Sequence, residues 1–412
     1  MIKILQVRNI DSFVESRRQK TSEKDRKTVQ SILNDVKRNG DSAVKKYERK
    51  FNGRQTSQLR VNAKEIKEAR SKISRKEVTA LQAMSARLRN SSPKIQIRGS
   101  SKFVPIPSVG CYIPGGQARY PSSVVMSVIP AKIAGVKRIV VVSPPTRDGK
   151  IDPLTIVAAK MCGATEIYKV GGGQAIGALA YGTKSIPKVD KIVGPGGKFV
   201  SIAKSLVSDQ TAIDMIAGPT ELGIIADASS NPELVALDLI SQAEHSKDTM
   251  CFVITQSKTV AKQIQKSIEK VIPDTERSSI IKESISTNGF IAVCKNQNEI
   301  IELANKFAPE HMELMVKNAK TLSKKITGAG LVLIGKNTPS AVSDYLLGTN
   351  HILPTNGFGR TRGGLSVLDF LKLQTVVESK KSALRNISKS LKAITDAEDL
   401  PNHYKAVKRR LD

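Results

Sequence analysis

Apolar residues recur at helical intervals through the first hundred positions, as in TVQSILNDVKRNGDSAVKKYERKF and AKEIKEARSKISRKEVTALQAMSARLRN, with charged residues filling the gaps. This spacing predicts a helical opening segment. From about residue 101 the texture changes to short unbroken apolar runs alternating with helical patterns. Unbroken runs suit strands covered on both faces by crossover helices, so a parallel sheet is expected. A first block holds RIVVVSPP, EIYKVGG followed by GQAIGALAYG, and DKIVGPGG followed by KFVSIAKSLV. The last two pairs each read as strand, glycine turn and helix. A second block opens near 221 with LGIIADA and alternates strand with helix through NPELVALDLISQAEH, TMCFVITQS, KTVAKQIQKSIEKVI, FIAVCKN, EIIELANKFAPEH, MELMV, KNAKTLSKKI and GLVLIG. Two doubly wound α/β units in tandem are the most economical architecture, because right-handed crossovers place helices on both sheet faces. From about 366 the chain reads as charged helices.

Composition narrows the function classes. The 412 residues, 25% charged and 40% hydrophobic, are enough for two or three domains with a large core and exclude a disordered or collagen-like chain. Sixty-six Lys and Arg against 37 Asp and Glu give a formal charge of +29, a field that attracts nucleic acid, acidic lipid or anionic metabolites alike. Aromatics are only 4% and Trp is absent, which argues against stacking platforms for single strands, and no nucleic-acid recognition motif accompanies the charge. Cys111, Cys162, Cys251 and Cys294 form no Cys-x-x-Cys pair. A reducing cytoplasm is the expected location, with neither a signal peptide nor a membrane span read from the chain.

Candidate chemistry gathers at the glycine turns and the four histidines. Glycines at 171 to 173 and at 194, 196 and 197 would let backbone amides approach a phosphate at helix N-termini, although the strict G-x-G-x-x-G fingerprint is not met. In LISQAEHSKD, Gln242 and His245 lie three apart on one helix face and can reach one ligand. In FAPEHMELM, Glu310 and His311 sit on the turn into a strand, and an adjacent carboxylate and imidazole can serve two different proton transfers. Asp344 and His351 flank a Gly-Thr-Asn turn, and Glu398 and His403 straddle Pro401. Each of these sites also reads as an ordinary polar cap or loop. If Gln242, His245, Asp344 and His403 converge, they offer two imidazoles and two oxygens to a metal such as zinc; spacing alone does not establish that convergence. A basic nucleic-acid-binding protein and a zinc hydrolase with Glu310 as its base stand as the competing classes.

At these residues the chain resembles histidinol dehydrogenase, through ordered blocks that run from about Val104 to His403: VGCYIPGGQARYPSSVVM, VGGGQAIGALAYGT, DKIVGPGGKFVSIAK, AIDMIAGPTELGIIAD, DLISQAEHS, ELANKFAPEHMELM, SDYLLGTNHILPT and AEDLPNH. The resemblance implies oxidation of L-histidinol to L-histidine with two NAD, the last step of histidine biosynthesis. It implies one zinc per subunit on Gln242, His245, Asp344 and His403. Substrate contacts would be Thr220, Gln242, His245, His311, Asp344, Glu398 and His403, with His351 as a further neighbour. Glu310 and His311 would be the proton-transfer pair, and Tyr112, Gln174 and Gly197 the NAD positions. Two departures from the family pattern stand out. Gly197 replaces the usual Asn of Gly-Pro-Gly-Asn, removing a side-chain contact to NAD, and Thr220 replaces a frequent Ser but keeps the hydroxyl. Cys111 is expected to be a packed small residue without a covalent role. The implied fold is two incomplete Rossmann-like units with small helical N- and C-terminal segments: 1–22 as an arm, 23–111 with 221–365 as the larger unit, 112–220 inserted with the NAD turns, and 366–412 as the tail. The implied partners are histidinol and a second copy of the chain, each tail crossing to complete the other subunit's active site; no specific nucleic acid or membrane is expected.

Overall fold

The computed structural model describes residues 1–18, 22–53, 58–93, 101–115, 119–146 and 148–412. Its strands, in chain order, are β1 (Lys3–Gln6), β2 (Ser101–Pro105), β3 (Ser108–Tyr112), β4 (Arg138–Ser143), β5 (Glu166–Lys169), β6 (Lys191–Val193), β7 (Ala212–Ile213), β8 (Glu221–Ala226), β9 (Met250–Thr255), β10 (Phe290–Val293), β11 (His311–Met315), β12 (Leu331–Ile334) and β13 (Leu371–Thr375). They form a six-stranded sheet in the order β1-β10-β9-β8-β11-β12, a five-stranded sheet in the order β5-β4-β3-β6-β7, and the pair β13-β2. Every pairing in the two larger sheets is parallel. Each of these sheets grows outward in both directions from an inner strand, β8 in one and β3 in the other, so each has a point where the strand order reverses. This is the α/β architecture expected from the unbroken apolar runs, and the strands β4, β5, β8, β9, β10 and β11 lie where those runs placed them.

Burial explains why those runs lack alternation. All six positions of β8 and of β9 are buried, because helices cover both faces of the sheet. One face packs Leu222, Ile224, Val253 and Ile291 under the helices Pro232–Ala243 and Lys258–Val271. The other packs Ile225, Phe252, Ile254 and Met312 under Gln297–Phe307. The opening segment is helical, as its spacing indicates, except that β1 leaves it to form the edge of the larger sheet beside β10. The long helix Glu23–Asn52 is kinked at Gly40, where φ is 51° and ψ is −129°. Its Val29, Ile32, Leu33 and Val36 share a core with Val140, Tyr168, Ala175 and Ile176 of the smaller sheet and its helices.

Packing groups the chain into two compact units, Met1–Pro93 with Pro105–Leu371, and Lys94–Val104 with Lys372–Asp412. The first contains both larger sheets. The second, taken alone, contains the helices Lys381–Ala397 and Pro401–Leu411, which pack on each other. Lys381–Ala397 is amphipathic, yet Ile387 and Ile394 of its apolar side are more than half exposed. No helix among the described residues is long and apolar enough to cross a membrane.

Candidate active site

A cleft of about 1310 Å³ in the first unit is lined on one wall by Gly194, Gly196, Gly197 and Lys198 and on another by Thr220, Gln242, His245, Glu310, His311, Asp344 and His351. Both walls lie where the strand order reverses, but they use opposite ends of their sheets. In the smaller sheet the turn of residues 194–197 follows β6, and Tyr112 ends the neighbouring β3, so this wall is formed at carboxyl ends. In the larger sheet Glu221 opens β8 and His311 opens the adjacent β11, so Glu310 and His311 stand at amino ends. Ligands of open α/β sheets ordinarily sit outside the carboxyl ends. In the larger sheet the cleft instead meets Glu310 and Asp344 beside the amino ends of β8 and β11.

The residue types of the glycine turn follow from its geometry. Gly194 has φ 111°, and a Cβ there would lie 2.2 Å from the carbonyl oxygen of Tyr112, so no other residue fits. Its N–H donates to Asp214 Oδ2 (2.8 Å) and its carbonyl accepts from the buried Lys204 Nζ (2.9 Å), which fixes the turn from behind. Gly197 caps the helix Lys198–Val207 with no side-chain capping bond, leaving amides of the first turn available to an anion. In the neighbouring turn Gly171 N–H donates to Glu48 Oε1 (2.8 Å), Gly172 N–H to the Tyr112 hydroxyl (3.1 Å), and Gln174 Nε2 to Glu48 Oε1 (2.8 Å). Gln174 Oε1 is buried without a hydrogen-bond partner. Tyr112 and Gln174 are thus buried beneath the glycine turn, whereas Gly197 faces the cleft. Cys111 is fully buried, and that burial pushes its thiol well above the usual range, which leaves it no role as a nucleophile.

On the opposite wall, His311 Nε2 lies 3.1 Å from Asp344 Oδ1, while Nδ1 is buried without a hydrogen-bond partner, 3.9 Å from Glu310 Oε2. Burial pushes the Glu310 carboxyl up to about 8, opposed by the field of His311 and reinforced by Asp344 and Glu221. For His311 burial acts downward, but the hydrogen bond to Asp344 and the fields of Glu310 and Asp344 prevail and raise it to about 9. Burial acts to raise Asp344, yet the His311 hydrogen bond and the fields of His311, His351 and His245 together outweigh it and keep this carboxylate below its ordinary value. Burial holds His245 and His351 below the ordinary imidazole value. His351 Nδ1 lies 2.9 Å from the Asp344 carbonyl oxygen, which can only accept, and Nε2 lies 3.3 Å from Ser123 Oγ, so His351 buttresses the Asp344 loop.

Gln242, His245 and Asp344 line the same cleft, and an imidazole held below its ordinary value, a carboxylate held below its own and a buried amide are donors of the chemistry that zinc takes. Among the described residues no group of three or more His, Cys, Asp or Glu side chains gathers as a metal site. His403 and Glu398 belong to the second unit, at the exposed start of Pro401–Leu411 and the end of Lys381–Ala397.

One buried carboxylate beside Glu310, behind this wall, escaped the sequence reading. Glu221 Oε1 accepts from Asn356 N–H (2.9 Å) and Oε2 from Glu310 N–H (3.3 Å), while Glu221 N–H donates to Glu310 Oε2 (2.9 Å). The available signal was an acid opening the otherwise apolar run ELGIIA. Behind Gln242, Glu313 Oε1 accepts from Ser340 N–H (2.6 Å), and Ser340 Oγ reaches Gln242 Oε1 (3.4 Å).

The profile of the histidinol dehydrogenase family matches residues 15–411. The histidinol dehydrogenase of Methanocaldococcus jannaschii is 43% identical over 396 residues, covering 93% of this chain and 92% of the relative. That of Methanococcus maripaludis is 44% identical over 398 residues, covering 93% of each. The crystal structure of histidinol dehydrogenase from Elizabethkingia anophelis superposes with a TM-score of 0.92 at 34% identity, covering 100% of this chain and 98% of that one. Similar over nearly its whole length in sequence and in fold, the chain belongs to the histidinol dehydrogenase family and is an oxidoreductase of that type.

Proposed function

We propose that the protein oxidises L-histidinol through histidinal to L-histidine, as a cytoplasmic homodimer that uses two NAD and one zinc per subunit. The observation that carries this reading is a single cleft in which a glycine turn at a helix N-terminus faces a buried carboxylate and imidazole. NAD would lie along that turn, with Tyr112, Gln174 and Gly197 as its positions, and supplies the hydride acceptor for each of two oxidations. Zinc on Gln242, His245, Asp344 and the partner subunit's His403 would hold the substrate imidazole and amine, polarise the carbinol, and lower the proton affinity of His311.

The chain's own groups account for the proton traffic. His311 Nε2 is engaged by Asp344, so Nδ1, which has no hydrogen-bond partner, is the atom that takes the alcohol proton as the first hydride leaves. The resulting aldehyde has no second hydride to give until water adds. Glu310 accepts a proton from that water, forming the hydrate, and His311 takes a hydroxyl proton as the second hydride leaves. A carboxylate and an imidazole suit these two chemically different abstractions. Thr220, Gln242, His245, His311 and Asp344 on the cleft, with Glu398 and His403 from the crossing tail, form the substrate shell. The exposed Ile387 and Ile394, on one side of an amphipathic helix, support a tail that docks on a second copy, since a run of exposed apolar residues marks a surface that a partner covers. The boundaries 1–22, 23–111 with 221–365, 112–220 and 366–412 belong to the same proposal.

The test is a stoichiometric assay of the purified protein with L-histidinol and NAD, following NADH and histidine together with and without a chelator. Two NADH per histidine, abolished by chelation and restored by zinc, is the expected result. Absence of NADH at saturating NAD, or hydrolysis that needs no NAD, overturns the reading.

A further inference from the structure

We propose that Glu221 is a positioning residue for Glu310, fastening the proposed water-activating carboxylate by a reciprocal backbone exchange and setting a second buried carboxylate beside it. The inference deepens the proposed function and rests on it.

The two residues face each other across the adjacent parallel strands β8 and β11, one register step before Leu222 and His311. Each carboxylate accepts the other's backbone N–H, at 2.9 Å and 3.3 Å, and the second oxygen of Glu221 accepts Asn356 N–H at 2.9 Å. Glu221 therefore ties three segments together: the start of β8 just after Thr220, the start of β11 just before His311, and the loop at Asn356. An ordinary way to start two buried strands would use apolar residues, because burying two carboxylates side by side costs free energy. A structural brace alone does not explain the choice of a second acid at 6% exposure. A neighbouring negative charge explains it, because it makes Glu310 a stronger base for water.

The charged groups around the pair are few. Glu310 faces Glu221 from β8, His311 from its own strand and Asp344 from the loop beyond β12; Glu221 also feels Arg18 from the N-terminal segment and His311. Of these, the charges of Asp344 and Glu221 raise the proton affinity of Glu310, while His311 and the backbone N–H of Glu221 lower it; replacing the Glu221 side chain removes only its charge and leaves that N–H in place. Burial also raises Glu221, to about 7. Replacing Glu221 by Gln removes one negative neighbour and turns an amide NH2 toward one of the N–H donors that the carboxylate now accepts. Glu310 should then release its proton at lower pH and be held less firmly.

The experiment uses full-length wild type, Glu221→Gln, Glu221→Asp, Glu310→Gln and the double variant Glu221→Gln/Glu310→Gln, loaded with zinc. It measures thermal unfolding, metal content, the first-turnover NADH burst from histidinol, and the pH profile of histidinal oxidation. Glu221→Gln is expected to keep its zinc and an initial burst within about threefold of wild type, to slow histidinal oxidation about tenfold or more, and to move the acid limb of that step down by about one pH unit. Glu221→Asp, which keeps the charge, is expected to keep the wild-type limb. In the Glu310→Gln background the Glu221 change should add no further loss, because the group it acts through is gone. Equal slowing of both half-reactions with an unmoved limb would make Glu221 a structural residue only and overturn the inference. So would additive losses in the double variant. Failure of the wild type to oxidise histidinol would instead overturn the proposed function.

Discussion

Replacing Gly197 by Asn tests whether the glycine turn holds the cofactor. Position 197 has φ −65° and ψ 174°, backbone values open to any L-residue, and a Cβ built there meets no heavy atom within 4 Å. The side chain therefore enters the cleft without displacing anything, in contrast to Gly196, where a Cβ would lie 2.4 Å from Val200. If NAD lies along this wall, the new amide restores one neutral hydrogen bond, worth about 1 kcal/mol, or about a fivefold lower Kd for NAD. The assay is a fluorescence titration with NADH beside steady-state KM values for NAD and histidinol. The expectation is tighter NAD and NADH with an unchanged histidinol KM. The substitution also acts on the fold: Asn at an N-cap improves on Gly by a few tenths of a kcal/mol, and losing a glycine's unfolded freedom adds about 0.4–1 kcal/mol. A higher Tm with unchanged NADH affinity would show that the side chain caps Lys198–Val207 instead of reaching the cofactor, and would refute the assignment of this wall to NAD.

Three further outcomes follow from the same geometry. His245→Ala should lose its bound zinc by elemental analysis while the circular dichroism spectrum stays that of the wild type; full metal retention would reject His245 as a ligand. Co-expressed Glu310→Gln and His403→Ala chains, each inactive alone, should regain part of the histidinol activity if tails cross between subunits, because one of the two sites in a mixed dimer is then intact. The third concerns pH. Burial pushes Glu313 up to about 8, against about 4.3 for an exposed Glu, so between those values the folded chain holds a proton that the unfolded chain has shed, and stability falls as pH rises through that window. Glu313→Gln removes that dependence, so its Tm should drop less than that of the wild type between pH 5 and pH 8, as scanning calorimetry would record.

How much was legible in the chain differs from element to element. Unbroken apolar runs announced β4, β5 and β8 to β11 directly, because strands buried on both faces have no polar face to alternate with. The strand β1 was hidden, since KILQ is a short edge strand with exposed ends inside a helical segment, and its partner lies far along the chain. Among residues lining the cleft, Glu310 and His311 stood out in the chain by their adjacency next to a proline. The contact of Glu221 with Glu310 could not be read, because it comes from the register that sets the two opposite each other, and register between strands 89 positions apart is not written in either strand alone. Gln242, His245 and Asp344 line one cleft, while spacing raised their set with His403 only as a condition, because nothing in dispersed segments states that they converge.

The pairing of β1 with β10 has a consequence for synthesis. Gln6 reaches Val293 across 287 positions, so the edge of the larger sheet closes only after seven-tenths of the chain has been made. At ribosomal rates of about 5–20 residues per second, the N-terminal strand waits on the order of 15–60 s for its partner. During that time its unpaired backbone groups, and the flank of β10 once that strand emerges, are open to other chains. Chaperone capture, and the placing of an affinity tag at the N-terminus, would therefore bear on the yield of folded protein before any question of catalysis arises.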